Sequence, residues 1–352
     1  MGLLITQASV AETWELRPEL GLRYRESFET EKDESVLELK AGLNFFSEWQ
    51  KWRFGLGLRA SEAEPHSLSW VRLADGFGQK SLGLSQGFLN RAWELGELSS
   101  FEIFLGKFPL SSMASPLLWD PQRNPEGLLQ QLAWGERFEL RLYAGQFSLS
   151  PQAADIRFNQ QRRRSWSFLA GFELGAQFGD FTRGSLSATG FWQHQPSSAL
   201  ADASVASGNR VQLEEDQASG FEENFAPIEV ALSVASHPFG ILTELRAAAA
   251  LNLRSEQKDR GFYLEGKLGR PNTKSNFLFA AQLFSIESDL QIASLLDQEL
   301  GGTNRRGFRV ELSYFILDEL SLWASFQRAN RIRQNLLQND RQEWILGCEL
   351  KL

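Results

Sequence analysis

Alternation of apolar and polar side chains constrains this chain more than any other feature. From Ser165 to Phe178, Trp166, Phe168, Ala170, Phe172, Leu174, Ala176 and Phe178 share one parity. Ser167, Gly171, Glu173, Gly175 and Gln177 dominate the other. Successive side chains of an extended strand point to opposite faces, so the segment carries one oily face and one small or polar face. The closing stretch does the same, with Trp344, Leu346, Cys348, Leu350 and Leu352 set against Ile345, Gly347, Glu349 and Lys351. So does Lys51 to Ala60, where Trp52, Phe54, Leu56 and Leu58 back onto Arg53, Gly55, Gly57 and Arg59.

About sixteen such segments can be counted, typically of roughly ten to thirteen residues, the span of a tilted membrane strand. They start near Thr13, Ser35, Gln50, Lys80, Ser99, Gly127, Arg137, Ser165, Thr182, Phe225, Ile241, Arg260, Asn276, Arg306, Glu319 and Arg341. The faces blur near Gly127 and Thr182. Short turns (Ser47-Glu48-Trp49, Gly135-Glu136, Gly179-Asp180, His237-Pro238-Phe239-Gly240, Leu317-Asp318) alternate with long polar connections. The latter are Glu62 to Gln79, Phe108 to Glu126, Pro151 to Arg164, Pro196 to Asn224 and Asp289 to Arg305. Short–long alternation marks a barrel with two unlike rims, and an even strand number puts both termini on the short-turn rim. A soluble barrel would turn its apolar face inward, but sixteen strands enclose a bore too wide for wall side chains to fill. The pattern therefore predicts an all-β, antiparallel up-and-down transmembrane barrel, polar inside and apolar outside.

Composition agrees. No run approaches the roughly 18 to 20 apolar residues of a membrane helix. Trp 11 and Phe 27 suit aromatic girdles at two lipid boundaries, with Trp52, Trp134, Trp166, Trp192 and Trp344 as candidate anchors. The single cysteine excludes an internal disulfide framework. A net charge of −8 argues against a nucleic-acid partner. Residues 12–352 read as one barrel domain. Residues 1–11 read as a signal-peptide remnant, with Ser9 and Ala11 at the cleavage positions before Glu12, or as a disordered lead-in.

Two segments carry a resemblance. Leu105-Gly106-Lys107-Phe108-Pro109-Leu110, followed by Leu117-Leu118-Trp119-Asp120-Pro121-Gln122-Arg123-Asn124-Pro125-Glu126-Gly127-Leu128, resembles a porin family of Gram-negative outer-membrane barrels. Gly301-Gly302-Thr303-Asn304, leading into Phe308-Arg309-Val310-Glu311-Leu312-Ser313-Tyr314, is similar to that family's late loop and strand. The chain departs from the usual pattern in ending on Leu352 rather than an aromatic residue. The resemblance implies a water-filled channel in the outer membrane for passive diffusion of small hydrophilic solutes and ions. It also implies a third loop folded inward, and a homotrimer.

A porin's working residues are the charges of its constriction. The expected arrangement sets Arg17, Arg23, Arg53 and Arg59, on the polar faces of the first and third strands, against Asp120 and Glu126 of the third loop. Lys107 falls at that loop's root or just outside the lumen, and Arg123 lies within the loop. The simpler alternative is that wall charges on neighbouring strands only pair with each other. Trp323 falls on the lumen side with Ser321 and Ser325. Arg162-Arg163-Arg164 offers phosphates of lipopolysaccharide a contact, or is a solvated loop base. Outer-membrane lipid and lipopolysaccharide are the expected surroundings.

No catalytic, metal or cofactor site is expected. His66 and His237 fall in connections, and His194, near a strand end, has no recognisable Ser and Asp partners. The rival readings are a non-conducting barrel whose long loops bind a surface partner or sugar and a barrel lipase using His194; an exporter of acidic polysaccharide is a variant of the channel reading that needs a continuous basic path.

Overall fold

The computed structural model describes residues 13–29, 32–61, 70–73, 81–110, 113–149, 165–214, 217–257, 259–334 and 338–351. Residues 1–11, His66, most of Glu62 to Gln79 and the arginine run 162–164 lie outside them. In chain order the elements are β1 (Thr13–Glu29), β2 (Lys32–Trp49), β3 (Trp52–Ser61), β4 (Val71–Arg72), β5 (Ser81–Gly96), β6 (Ser99–Lys107), β7 (Glu126–Trp134), β8 (Phe138–Ser148), β9 (Trp166–Phe178) and β10 (Thr182–His194). There follow α1 (Ser198–Val205), β11 (Val211–Glu214), β12 (Gln217–Phe221), β13 (Pro227–Ser236), β14 (Leu242–Asn252), β15 (Arg260–Gly269), β16 (Asn276–Ile286), β17 (Arg305–Phe315), β18 (Leu320–Arg331) and β19 (Arg341–Lys351).

Sixteen of these strands pair antiparallel, neighbour to neighbour, into one closed barrel. Closure runs from Glu19 opposite Lys351 to Glu29 opposite Arg341. The two-residue β4 pairs with β2, and β11–β12 is a separate hairpin. Parity behaves as the sequence requires. Along β1, Trp14, Leu16, Leu20, Leu22, Tyr24 and Phe28 are exposed, while Arg23 and Ser27 are buried. Trp134, Trp192 and Trp344 stand exposed on the outer face.

Two expectations about connections fail. The turn between β2 and β3 is Gln50-Lys51, not Ser47 to Trp49, which belong to β2. Both turn residues have positive φ (48° and 70°), the backbone that matches the twist of two paired strands. The long rim also has short members: β1 and β2 join across residues 30–31, and β14 and β15 across 253–259.

The larger correction concerns the interior, which is polar on only part of its wall. Between β7 and β16 the inward side chains include Leu129, Tyr143, Phe147, Leu169, Phe191, Ala231, Ala248, Ala250, Phe284 and Ile286, all buried. They form one apolar cluster with Phe108, Leu110, Leu117, Leu118 and Trp119 of the 108–125 connection. Leu290, Ile292, Leu295, Leu296 and Leu300 of the 287–304 connection join it, as does Leu200 of α1. Wall residues alone do not fill this part of the bore. The loops supply the missing volume, and burial of apolar surface drives them inward.

Candidate functional site

The lumen is built from two unlike halves. On the apolar side, the 108–125 connection lies against the wall, held by inward polar groups. The Oγ of Ser115 donates to the carboxylate of Glu229 on β13, and its N–H donates to the same group at 3.1 Å. The Met113 carbonyl accepts from Thr189 on β10 at 2.8 Å and Tyr143 on β8 at 3.3 Å. Trp119 stacks on Phe191 at 5.7 Å, with the rings 6° from parallel. Gly261 on β15 makes room for the other loop: a Cβ there would stand 2.4 Å from a Leu290 methyl and 3.4 Å from one of Leu117.

The 287–304 connection crosses between the two halves. The Asp120 N–H donates to the Leu295 carbonyl at 2.8 Å, and Gln291 Nε2 donates to the Leu118 carbonyl at 3.2 Å. Asn209, after α1, brackets the same loop, donating to the carbonyls of Ser288 and Gln291 (2.9 Å for the latter). The long Pro196 to Asn224 connection carries α1, packed inward with Leu200, Ala201 and Ser204 buried, and the β11–β12 hairpin, whose strand β11 is largely exposed.

The largest linked set of charges lies on the other half. Glu299 at the far end of the same loop pairs with Arg309 on β17 and, at 3.3 Å, with Arg23 on β1. Its Oε1 also accepts from Gln122 of the 108–125 connection at 3.4 Å. Arg23 pairs with Glu38, and its guanidinium lies 4.4 Å from the Trp70 ring centre. Arg25 reaches Glu38 at 3.1 Å and Glu343 at 3.3 Å, and Arg341 also pairs with Glu343. Burial alone would raise the Glu299 carboxyl, but Arg309 and Arg23 hold it far below the usual carboxylate range. Asp297, two residues earlier, goes the other way: burial, with Asp120 and Glu299 close by, pushes it well above that range.

Further sets of paired charges line the barrel wall. Lys40 joins Glu19 (3.3 Å) and Glu349, and Arg59 approaches Glu19 at 3.6 Å. Arg141 joins Glu139 (2.6 Å) and Glu173 (3.3 Å), while Lys267 joins Glu265 (3.1 Å) and Glu244 (3.6 Å).

The eight anticipated constriction residues are thus dispersed. Arg17 is 57% exposed and pairs with Glu15 at 2.7 Å, near the short-turn rim. Arg53 is exposed, between Glu48 and Asn90 in register. Lys107 donates to the Leu84 carbonyl at 2.6 Å, and Glu126, opposite it in register, is exposed. Asp120 is buried, its Oδ1 accepting from the Gln122 N–H at 2.8 Å. Arg123 takes part through its carbonyl, which accepts from Trp119 Nε1 at 2.7 Å. Arg23 is tied to an inward loop by an ion pair between side chains, and its partner there is Glu299. The sequence reading missed Glu299, Arg309 and Glu38. Trp323 points inward as expected, its ring filling the space over Gly347 and meeting Trp70 edge-on at 6.4 Å. His194 is at the outer end of β10, and His237 caps a short turn through its N–H to the Phe181 carbonyl (2.9 Å).

A closed sixteen-stranded barrel with an apolar outer belt, charged inner wall and inward loops is the porin architecture. Solved structures agree at the level of fold. The chain is similar to OprB of Pseudomonas putida at 9% identity, covering 96% of this chain and 94% of that one, with a TM-score of 0.59. OmpF of Salmonella typhi, solved with daunomycin, gives 11%, 96% and 97%, and 0.58. OmpT of Vibrio cholerae, an outer-membrane protein, gives 9%, 98% and 100%, and 0.53. No family model and no curated protein sequence matches the chain.

Proposed function

We propose that the protein is a Gram-negative outer-membrane porin, a channel through which small hydrophilic solutes and ions diffuse passively. The observation that carries this reading is the charged half of the lumen. Arg23, Arg25, Arg309, Glu38, Glu299, Glu311 and Glu343 converge there from β1, β2, β17, β19 and the 287–304 connection. Charges brought together inside a barrel sort hydrated solutes, whereas a barrel serving only as an anchor has no use for them. Assembly as a homotrimer, implied by the resemblance to porins, follows the same reading, and catalysis has no part in it.

Refolded protein in a planar bilayer is expected to give discrete conductance steps. Folded, inserted protein that stays silent would overturn the channel.

A second reading has its own support. The apolar core made by the 108–125, 195–226 and 287–304 connections fills the other half of the bore, as a non-conducting barrel with binding loops would require. Replacing residues 288–303 by a short Gly-Ser link separates the two. A channel conducts before and after the replacement, with larger steps after it. A plugged barrel conducts only after it.

A further inference from the structure

Outside the lumen, a repeated pairing of arginine with an aromatic ring marks the outer face of β15, β17 and β18. Arg260-Gly261-Phe262 opens β15 and Arg306-Gly307-Phe308 lies at the start of β17. On β18, which runs the opposite way, the order reverses to Phe326-Gln327-Arg328. Because strand direction and residue order flip together, all three arginines lie at the long-loop ends, each two residues beyond its ring. Parity places them outside: Arg306 and Arg328 are exposed, while Arg305, Gln327 and Ala329 beside them are buried.

Register brings two of them together. Arg306 opposes Asn330 and Arg328 opposes Phe308, so the two arginines are diagonal neighbours. Such positions lie roughly 7 to 8 Å apart, within reach of one doubly charged group. Below them, Phe308, Phe326 and Trp344 form a continuous row, with ring centres 5.8 and 4.4 Å apart. Among the described residues, no carboxylate lies within ion-pair distance of Arg306 or Arg328. Arg260, two strands from Arg306, reaches Asp259 at 3.8 Å through its side chain, and its backbone N–H donates to the Glu287 carboxylate at 3.0 Å.

A guanidinium facing hydrocarbon is costly, and the cost falls only near the headgroups. An aromatic row marks that boundary. The long-loop rim of such a barrel faces the cell exterior. We infer that Arg306 and Arg328, flanked by Arg260, form a binding site for the headgroup phosphates of an outer-leaflet lipid of the lipid A type. The guanidinium fork matches a phosphate bidentately, and the rings beneath pack against acyl chains.

The test is a titration of the full chain, refolded in lipid-free detergent, with bisphosphorylated lipid A and separately with dephosphorylated lipid A. Native mass spectrometry reads both bound lipid and subunit number. The double variant R306Q/R328Q is expected to lose ~tenfold or more of its affinity for the phosphorylated lipid, with subunit number unchanged. R306K/R328K should lose less, since the charge remains and the fork does not. Wild-type protein should bind the dephosphorylated lipid as weakly as the glutamine variant binds the phosphorylated one. Near-wild-type binding by R306Q/R328Q would overturn the site, as would equal binding of both lipids by the wild type. A loss of subunit association in that variant, with lipid binding intact, would instead make this face a contact between copies of the chain. Both variants leave the lumen untouched, so their conductance is a control on folding.

Discussion

The backbone N–H of Asp120 donates to the carbonyl of Leu295 at 2.8 Å, joining two loops that lie 175 residues apart in the chain. Neither loop is packed only on the barrel wall; each is part of the other's support. Leu296, beside that carbonyl, is fully buried in the apolar cluster. Leu296→Ala removes side-chain volume from a closed core and is expected to cost about 2–5 kcal/mol locally. Hydrogen exchange reads it: the Asp120 and Leu295 amides should exchange faster while those of β17–β19 keep their rates. Unchanged protection at Asp120 would mean that the loops are held independently.

Glu299 is the carboxylate through which the 287–304 loop reaches the charged wall. Neutralising it leaves Arg23 and Arg309 with Glu38 and Glu311 as their remaining partners, and shifts the local field by one positive charge. Glu299→Gln is expected to move the reversal potential in a salt gradient toward anions, several-fold in permeability ratio, with Glu299→Asp close to wild type. The shift should shrink at high ionic strength, where the Debye length falls to about 3 Å at 1 M. A Gln variant with wild-type selectivity would remove Glu299 from the solute path.

Two carboxyls on one loop respond to pH in opposite senses. The raised Asp297 favours its neutral form in the fold, so its ionisation carries a cost. That cost is absent below the ordinary aspartate range and grows as pH rises through the elevated folded value. The lowered Glu299 contributes stability above the ordinary glutamate range, which is lost as pH falls through its folded value. Asp297→Asn should therefore raise the melting temperature at neutral pH and leave it unchanged in strong acid. Glu299→Gln should lower the melting temperature at neutral pH, through a loss of about 1–3 kcal/mol of unfolding free energy, and converge with wild type in strong acid. Thermal melts of the three proteins across pH check both signs. A stabilisation by Asp297→Asn that persists in strong acid would have another cause.

Strand positions were legible because the period of two survives wherever lipid lies on one side and water on the other. Every strand start read from the alternation falls within three residues of the observed one. The blurred faces near Gly127 and Thr182 carried a further signal. Leu129 and Phe191 are inward-facing and apolar because loops, not water, cover them. The loop core itself had a trace in Leu290-Gln291-Ile292-Ala293-Ser294-Leu295-Leu296, too apolar for a solvated connection, and in Ala247 to Ala250 on the facing wall. What alternation cannot encode is which loop reaches which wall. The partner of Arg23 comes from 276 residues away, so the charged half became visible only in three dimensions.

Gly261 tests how closely the inward loop is fitted to the wall. Its position on β15 faces the bore, and an added Cβ would come within 2.4 Å of a Leu290 methyl, with Leu117 behind it at 3.4 Å. Leu290 is fully buried, so it has no free volume into which to retreat. Strand backbone accepts valine readily, and the hairpin register of β15 with β14 and β16 is unaffected by the side chain. The strain of Gly261→Val must then fall on the 287–304 loop, at about 1–3 kcal/mol for an overpacked core. The barrel should fold and insert as before, while the loop shifts toward the exterior and loosens the Glu299 contacts with Arg23 and Arg309. Larger or noisier single-channel steps than wild type, with unchanged barrel melting, are the expected readout. Gly261→Ala should give a smaller effect in the same direction. Wild-type steps from the valine variant would show that this loop moves without affecting the conducting route.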